Sequence, residues 1–263
     1  STLLSGRSPA STGIVTNDLG VSDPEARILG MPDAAGASPA RFQGSALFDW
    51  LRAADSGSRA LSVSRKDRAA ILPIGRARQD VYWYVSGRWT TSDYYRDSLP
   101  GWLTAYDTRP GARDLAGRAW DLLLPDSAYQ EPDSEPYENG GKDYLFPHRF
   151  PVDSAHAARS VIDFPWMDSL TLDVALEGVR QLGLGRSGHT DLLNISLSST
   201  DAVGHAFGPD SREIHDQVLR VDRWLGQFLD SLSRLVPGDS IVFALAADHG
   251  VTPYPEDLAA HQQ

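Results

Sequence analysis

The C-terminal third of the sequence alternates two short apolar runs with one long amphipathic run, and this pattern limits the fold more than any other feature. The runs Asp191–Leu197 and Ile241–Ala246 have the length and composition of buried strands. Between them, apolar residues recur three and four positions apart from Ile214 to Leu235, which predicts one long helix. A strand, a helix and a strand at this spacing form a βαβ unit with parallel strands. The sequence therefore predicts an α/β fold with a mostly parallel central sheet flanked by helices.

Shorter elements extend this prediction. Asp210 followed by Glu213 resembles a capping box that starts the long helix, and Pro237-Gly238 ends it. Further elements are predicted by periodicity: helices at Trp166–Leu182 and Ala46–Ala53, and a short strand at Ala60–Ser64.

Two stretches in the first half of the chain have a distinct composition. Pro125–Asp143 is rich in Pro, Glu, Asp, Gly and Tyr, which predicts a surface excursion without regular structure. Aromatic residues that suit a hairpin and core packing, with a substrate pocket as the alternative, are Tyr82, Trp83, Tyr84, Trp89, Tyr94, Tyr95 and Trp102. We expect a single α/β catalytic domain over residues 1–263, with a surface insert around residues 80–150.

Charge and cysteine content exclude several functions. The formal net charge of the 263 residues is -11, which repels a nucleic-acid polymer. A small phosphorylated substrate remains compatible with this charge, because bound metal ions can reverse the local field. The sequence has no cysteine, so disulfides, thiolate metal sites and cysteine nucleophiles are excluded. No apolar run approaches the roughly 18 to 20 residues that span a bilayer, and the oligomeric state is not indicated.

Two pairs of potential metal ligands follow the two predicted strands. Asp201 and His205 lie four residues apart in a predicted loop over 198–209, and Asp248 and His249 follow the second strand directly. Because the carboxyl ends of neighbouring parallel strands meet at one edge of a sheet, we expect the pairs to share a pocket. Carboxylate oxygen and imidazole nitrogen suit zinc, and two clusters suggest two ions. Each residue alone is better explained as a cap or loop residue, but the four together favour a metal site.

These segments resemble those of a known superfamily. Residues 198–209, with Asp201 and His205, and residues 247–250, with Asp248 and His249, are similar to the two metal-binding segments of phosphodiesterase-type members of the alkaline phosphatase superfamily. The phosphate-irrepressible alkaline phosphatases are the most similar branch, and the resemblance runs from Ser1 to about Glu256. It implies that the first pair binds one Zn²⁺ and the second pair another, with other divalent metals as alternatives. It also implies small phosphorylated substrates and a periplasmic or secreted location.

Two N-terminal segments add candidate catalytic and substrate-binding residues. Residues 5–17 resemble the stretch after the family nucleophile, which implies that Asn17 donates a hydrogen bond to a phosphate oxygen. Residues 64–73 resemble a loop with paired cations in the phosphomonoesterase branch, which implies that Lys66 and Arg68 neutralise a monoester dianion. The alternatives are a turn asparagine and a solvated charge cluster.

The resemblance also implies that some family residues lie outside these 263 residues. The Thr or Ser nucleophile and one aspartate ligand would precede Ser1, and a last histidine ligand would follow Gln263. The fold would then be incomplete at both ends, and the chain alone nearly inert. Histidines without partners at metal spacing are interpreted as structural or surface residues: His148, His156, His189, His215 and His261.

The function implied is a zinc-dependent phosphate monoester hydrolase that acts through a phospho-enzyme. The alternatives are a phosphodiesterase or nucleotide pyrophosphatase on the same scaffold, a sulfatase, and a non-catalytic protein that binds metal or phosphate or a fragment with no activity.

Overall fold

The computed structural model describes residues 2–17 and 19–260, and His261 lies outside them. The chain forms two compact units. Unit 1 consists of Ser1–Arg109, Thr171–Ser196 and Asp230–Val242, and unit 2 consists of Pro110–Leu170, Leu197–Leu229 and Phe243–Gln263. The expectation of a single domain with a surface insert around residues 80–150 stays a prediction.

The helices and strands are short except for α7 and α9. The α-helices are α1 (Thr2–Ser5), α2 (Pro9–Thr12), α3 (Leu47–Ala54), α4 (Asp67–Ile71), α5 (Gly101–Tyr106), α6 (Ser154–Ser160), α7 (Trp166–Leu182), α8 (Ser199–Phe207), α9 (Arg212–Leu235) and α10 (Pro255–Ala260). The strands are β1 (Ala60–Ser64), β2 (Asp80–Val85), β3 (Arg88–Thr90), β4 (Ala119–Trp120), β5 (His148–Arg149) and β6 (Leu192–Ser196). The predicted elements at β1, α3, α7 and α9 are confirmed.

The central sheet belongs to unit 1 and has the strand order β3-β2-β1-β6. β1 pairs in parallel with both β2 and β6, whereas β2 and β3 are antiparallel. β1 is buried along its whole length, and its last residue, Ser64, is in register with Ser196 at the end of β6. The predicted fold class, a mostly parallel sheet flanked by helices, is confirmed.

Four of the seven aromatic residues, Tyr82, Trp83, Tyr84 and Trp89, lie in a hairpin of β2 and β3, whereas Tyr94, Tyr95 and Trp102 lie outside it. Tyr84 on β2 is in register with Trp89 on β3, and their ring centroids lie 5.3 Å apart in an edge-to-face contact. Trp83 points into the core of unit 1 together with Phe42, Phe48 and Ile71. The hairpin therefore stabilises the sheet through aromatic packing.

The core of unit 2 surrounds a buried carboxylate and a buried indole. Asp216 accepts hydrogen bonds from Trp120 Nε1 at 2.6 Å, Leu123 N at 2.6 Å, Tyr129 Oη at 2.7 Å and Arg220 Nε at 2.5 Å. Tyr129 is buried although it belongs to the predicted surface excursion, and Glu138 is buried as well. Part of Pro125–Asp143 therefore packs into unit 2, with short 3₁₀ turns at Asp126–Ala128 and Glu138–Gly141.

Three local predictions are wrong. Residues 199–207 form helix α8 instead of a loop, because their apolar side chains fall on one helical face. Residues 241–246 form no strand, since no segment of the described chain pairs with them, and Val242 is 97% exposed. The first residue of α9 is preceded by Ser211, whose Oγ accepts from Ile214 N at 3.1 Å, so Ser211 takes the capping role predicted for Asp210.

Strand β6 is placed as predicted, but it is only half-buried instead of fully buried. It lies at the edge of the sheet in the described part of the chain, and only β1 pairs with it. Residues 241–246, which were predicted as a neighbouring strand, do not pair with it.

Several histidines have the structural roles that were predicted. His148 Nε2 lies 2.8 Å from Glu213 Oε1, and both side chains are buried. His189 pairs with Asp55 at 2.9 Å, and this contact lowers the pKa of the Asp55 carboxyl. Across residues 2–17 and 19–260, no helix has the length and apolarity needed to cross a membrane.

Candidate metal centre

Helix α8 presents Asp201 and His205 on one face. The two residues are four positions apart, so they lie one above the other on the helix surface. Asp201 Oδ1 and His205 Nε2 are 3.4 Å apart, and the side chain of His205 is 76% exposed. The predicted pair is therefore preorganised by a helix rather than by a loop.

The opposite face of α8 packs into the aromatic core of unit 2. Val203 and Phe207 are buried against Trp120, with ring centroids of Phe207 and Trp120 6.3 Å apart. This packing fixes the rotation of the helix about its axis, because the apolar face must stay away from water. As a result, Asp201 and His205 point away from the core.

Asp168 holds the N-terminal end of α8. Its Oδ1 accepts from Ser198 N at 2.8 Å and from Ser199 N at 3.0 Å, and its Oδ2 accepts from Gln217 Nε2 at 3.0 Å. The first N–H groups of a helix have no partner inside the helix, so a carboxylate there both satisfies them and complements the helix dipole. Burial raises the pKa of the Asp168 carboxyl, although the bonds from Ser199 and Ser198 oppose the shift.

The segment that carries Asp248 and His249 lies beside Asp201. His249 Nε2 is 3.6 Å from Asp201 Oδ1 and 3.6 Å from Asp248 Oδ2. His249 Nδ1 is 2.8 Å from the carbonyl oxygen of Gly250, so it donates its proton there. The neutral ring then keeps an unprotonated Nε2, which is the form that binds a metal ion. The two pairs, which are far apart in the sequence, meet as predicted.

Gly204 allows the second segment to approach α8 closely. A Cβ at this position would lie 2.9 Å from Cγ2 of Val251, a distance that real Cβ atoms essentially never show. Val251 is two residues after His249, so this contact sets the distance of His249 from the helix. The glycine beside the predicted ligands is therefore explained by the close approach of the Val251 side chain.

The donor set fits a metal ion in chemistry and in pairwise spacing. Two ligands at about 2.0–2.2 Å from a tetrahedral zinc ion lie about 3.3–3.6 Å from each other. The separation of Asp201 from His205, 3.4 Å, and that of Asp248 from His249, 3.6 Å, are in this range. Within residues 2–17 and 19–260, however, no group of three histidine or acidic side chains has the full geometry of a metal site. The side chains of Asp248 and His205 are exposed, so they can turn toward an ion.

The other predicted site residues lie in unit 1. Asn17 is exposed in a turn after α2. Lys66 and Arg68 follow the carboxyl end of β1, where ligands collect in parallel sheets, and both are half-buried. Lys66 N donates to Ser64 Oγ at 3.1 Å, which fixes the backbone between the strand and α4.

Sequence reasoning missed two residues that shape the site, Asp168 and Tyr254. Tyr254 Oη donates to the carbonyl oxygen of Ala206, which is in the last turn of α8. An aspartate among the apolar positions at the start of a predicted helix was the available signal for Asp168. No comparable pattern distinguished Tyr254.

Comparison with known proteins gives a consistent family. The family described as Type I phosphodiesterase / nucleotide pyrophosphatase matches over residues 1–263. The chain is 34% identical over 274 residues to alkaline phosphatase PhoV of Synechococcus elongatus, an alignment that covers 97% of the chain and 50% of PhoV. The chain thus spans about half the length of this relative.

Two crystal structures have a similar fold. Wild-type alkaline phosphatase PafA superposes with a TM-score of 0.80 at 30% identity, over 90% of this chain and 49% of PafA. A PafA variant in which a threonine, an asparagine, a lysine and an arginine are substituted gives a TM-score of 0.83 at 29% identity, over 90% of this chain and 50% of the variant.

Proposed function

Because this chain belongs to the type I phosphodiesterase/nucleotide pyrophosphatase family, we propose that it forms the metal-binding part of a zinc-dependent phosphate monoester hydrolase of the alkaline phosphatase type. The observation that supports this proposal is the meeting of Asp201 with both His205 and His249, at 3.4 and 3.6 Å. Relatives named as alkaline phosphatases, such as PhoV and PafA, favour the monoesterase over other members of the family.

In this proposal four side chains hold two zinc ions. Asp201 and His205 bind one ion, and Asp248 and His249 bind the other, while other divalent metals remain alternatives. The chemistry that zinc supplies when bound is stabilisation of charge on the attacking and leaving oxygens of the phosphoryl group. The backbone carbonyl of Gly250 holds the Nδ1 proton of His249 and keeps Nε2 available as a ligand.

Three residues of unit 1 act on the substrate in this proposal. Asn17 donates a hydrogen bond to a phosphate oxygen, and Lys66 and Arg68 neutralise the terminal oxygens of a monoester. Support comes from the PafA variant, in which the substituted side chains include an asparagine and a lysine and arginine two positions apart. Lys66 and Arg68 have the same spacing here, and Asn17 precedes them.

The proposed reaction proceeds through a phospho-enzyme. A Thr or Ser hydroxyl upstream of Ser1 loses its proton and attacks phosphorus; the new oxygen–phosphorus bond forms while the bond to the leaving group breaks, and the leaving alkoxide takes up a proton. Water then hydrolyses the phospho-enzyme and releases phosphate.

We also propose a periplasmic or secreted location, on the resemblance alone.

Kinetics of the full-length protein test the proposal. We expect an aryl phosphate monoester to be hydrolysed with a higher kcat/KM than the matching diester. A chelator should abolish the activity and zinc should restore it. Lys66→Ala and Arg68→Ala should each lower kcat/KM for the monoester by about a hundredfold and affect the diester less. Arg76→Ala is the matched control, because Arg76 is an exposed cation of the same unit.

The outcomes separate the alternatives. A preference for the diester that does not depend on Lys66 and Arg68 would favour the phosphodiesterase, which the family description also names. Zinc binding without turnover of either ester would favour a non-catalytic binding protein.

A further inference from the structure

We propose that Tyr254 is a positioning residue that holds the Asp248–His249 segment against the C-terminal end of α8. This inference rests on the proposed function, since it concerns the geometry of the proposed metal ligands. Tyr254 acts through the backbone that links it to His249, five residues earlier.

The first observation is a hydrogen bond to the end of the helix. Tyr254 Oη donates to the carbonyl oxygen of Ala206 at 2.9 Å and lies 3.4 Å from the carbonyl oxygen of His205. The last carbonyl groups of a helix have no partner inside the helix, so they are available acceptors. One of the two carbonyls belongs to a proposed metal ligand, His205.

The second observation is the close packing of the Tyr254 ring. Gly208 ends α8 with φ +85°, and a Cβ there would lie 2.9 Å from Cδ2 of Tyr254. Only glycine meets both the backbone conformation and the space. On another side, the ring of Tyr137 packs against Tyr254 with centroids 5.4 Å apart. The phenol is therefore held by its hydroxyl and by two of its sides.

The third observation is that the segment contacts α8 at a second point, where the contact order follows the direction of the helix. Val251 packs on Gly204, and Tyr254 packs on Gly208, one helical turn further along α8. A step of three positions in the segment, from Val251 to Tyr254, therefore spans the same distance as a step of four positions in the helix, from Gly204 to Gly208. Because His249 precedes both contacts, they fix the approach of its backbone, and the 3.6 Å separation of His249 Nε2 from Asp201 Oδ1 follows.

Tyr254→Phe tests the inference because it removes only the hydroxyl. In the full-length protein we expect the zinc dissociation constant, measured by competition with a chelator, to rise roughly tenfold. The urea denaturation midpoint of Tyr254→Phe should equal that of the control variant Tyr144→Phe. Tyr144 is the matched control, a tyrosine of the same unit whose hydroxyl has no hydrogen bond within the described residues. A loss of stability that accompanied the loss of affinity would indicate a general structural role and overturn the inference.

A measurement without metal separates this inference from the proposed function. Methyl-labelled wild-type protein should show nuclear Overhauser cross-peaks between Val251 and Gly204, and Tyr254→Phe should lose them while Tyr144→Phe keeps them. Unchanged cross-peaks in Tyr254→Phe would overturn the inference. If the wild type bound no zinc, the proposed function would fail, and the cross-peaks would still decide the role of Tyr254.

Discussion

Replacing Asp168 with alanine should destabilise the protein through the N-terminal end of α8. The carboxylate is fully buried and accepts from Ser198 N, Ser199 N and Gln217 Nε2 at 2.8 to 3.0 Å. Asp168→Ala leaves these three donors without their acceptor, in a region that water does not reach. The variant also removes a charge whose burial is unfavourable, as the raised pKa of Asp168 indicates.

The size of the effect follows from these opposing contributions. Each buried donor without an acceptor costs about 1–3 kcal/mol, and the removal of the buried charge offsets part of the sum. We therefore expect the free energy of unfolding to fall by about 2–4 kcal/mol. With a urea m-value of about 3 kcal/mol/M, the denaturation midpoint should fall by roughly 1 M.

Asp168→Asn provides a stringent comparison. The asparagine oxygen can still accept from Ser198 N and Ser199 N, and its amide can donate to Gln217 Oε1, which has no hydrogen-bond partner in the described structure. This requires the Gln217 amide to rotate and the Thr200 hydroxyl, which now accepts from Gln217 Nε2 at 3.2 Å, to donate to Gln217 Oε1 instead, so the loss should stay under about 1 kcal/mol. Asp222→Ala, an exposed position on α9, is the control and should match the wild type. Equal losses in the alanine and asparagine variants would refute the hydrogen-bond argument.

Two further predictions concern pH and the glycine contact. The folded pKa of Asp168 is raised above its unfolded value of about 3.9, so its stabilising contribution is complete below that value and is lost as pH rises through the folded pKa. Urea denaturation should therefore show the wild type losing stability relative to Asp168→Asn as pH rises above about 4, and parallel curves would contradict this. Gly204→Ala should weaken zinc binding by pushing Val251 away, although alanine favours the helix by about 1 kcal/mol. Zinc titration of the double variant with Val251→Ala should recover the affinity, and no recovery would contradict the contact.

The sequence predicted the elements whose periodicity is long or whose ends are marked. α9, a helix of 24 residues, carries an apolar stripe from Ile214 to Leu235, and α7 was placed with both ends correct. The proximity of Asp201 and His249 was also predicted, although the prediction placed both residues after the carboxyl ends of parallel strands. The structure reaches the same geometry by a helix and a docked segment instead.

The failures have a common physical origin in tertiary partners. Residues 199–207 contain Ser, Thr, Asp and Gly, which locally favour a loop, but the aromatic core around Trp120 and the carboxylate of Asp168 stabilise the helix. Residues 241–246 have the composition of a buried strand, but composition does not select a pairing partner, and within the described chain they do not pair with the free edge of β6. Neither the long-range cap of α8 nor strand pairing is visible in the local sequence.

The two faces of α8 restrict how this part of the sequence can change. Helix α8 has nine residues. Val203 and Phe207 pack in the aromatic core, and Asp201 and His205 belong to the candidate metal site. Inserting or deleting one residue between these positions would turn the following part of the helix by about 100°. A carboxylate or an imidazole would then enter the space of an aromatic ring, so we expect this stretch to vary by substitution and never by a change in length.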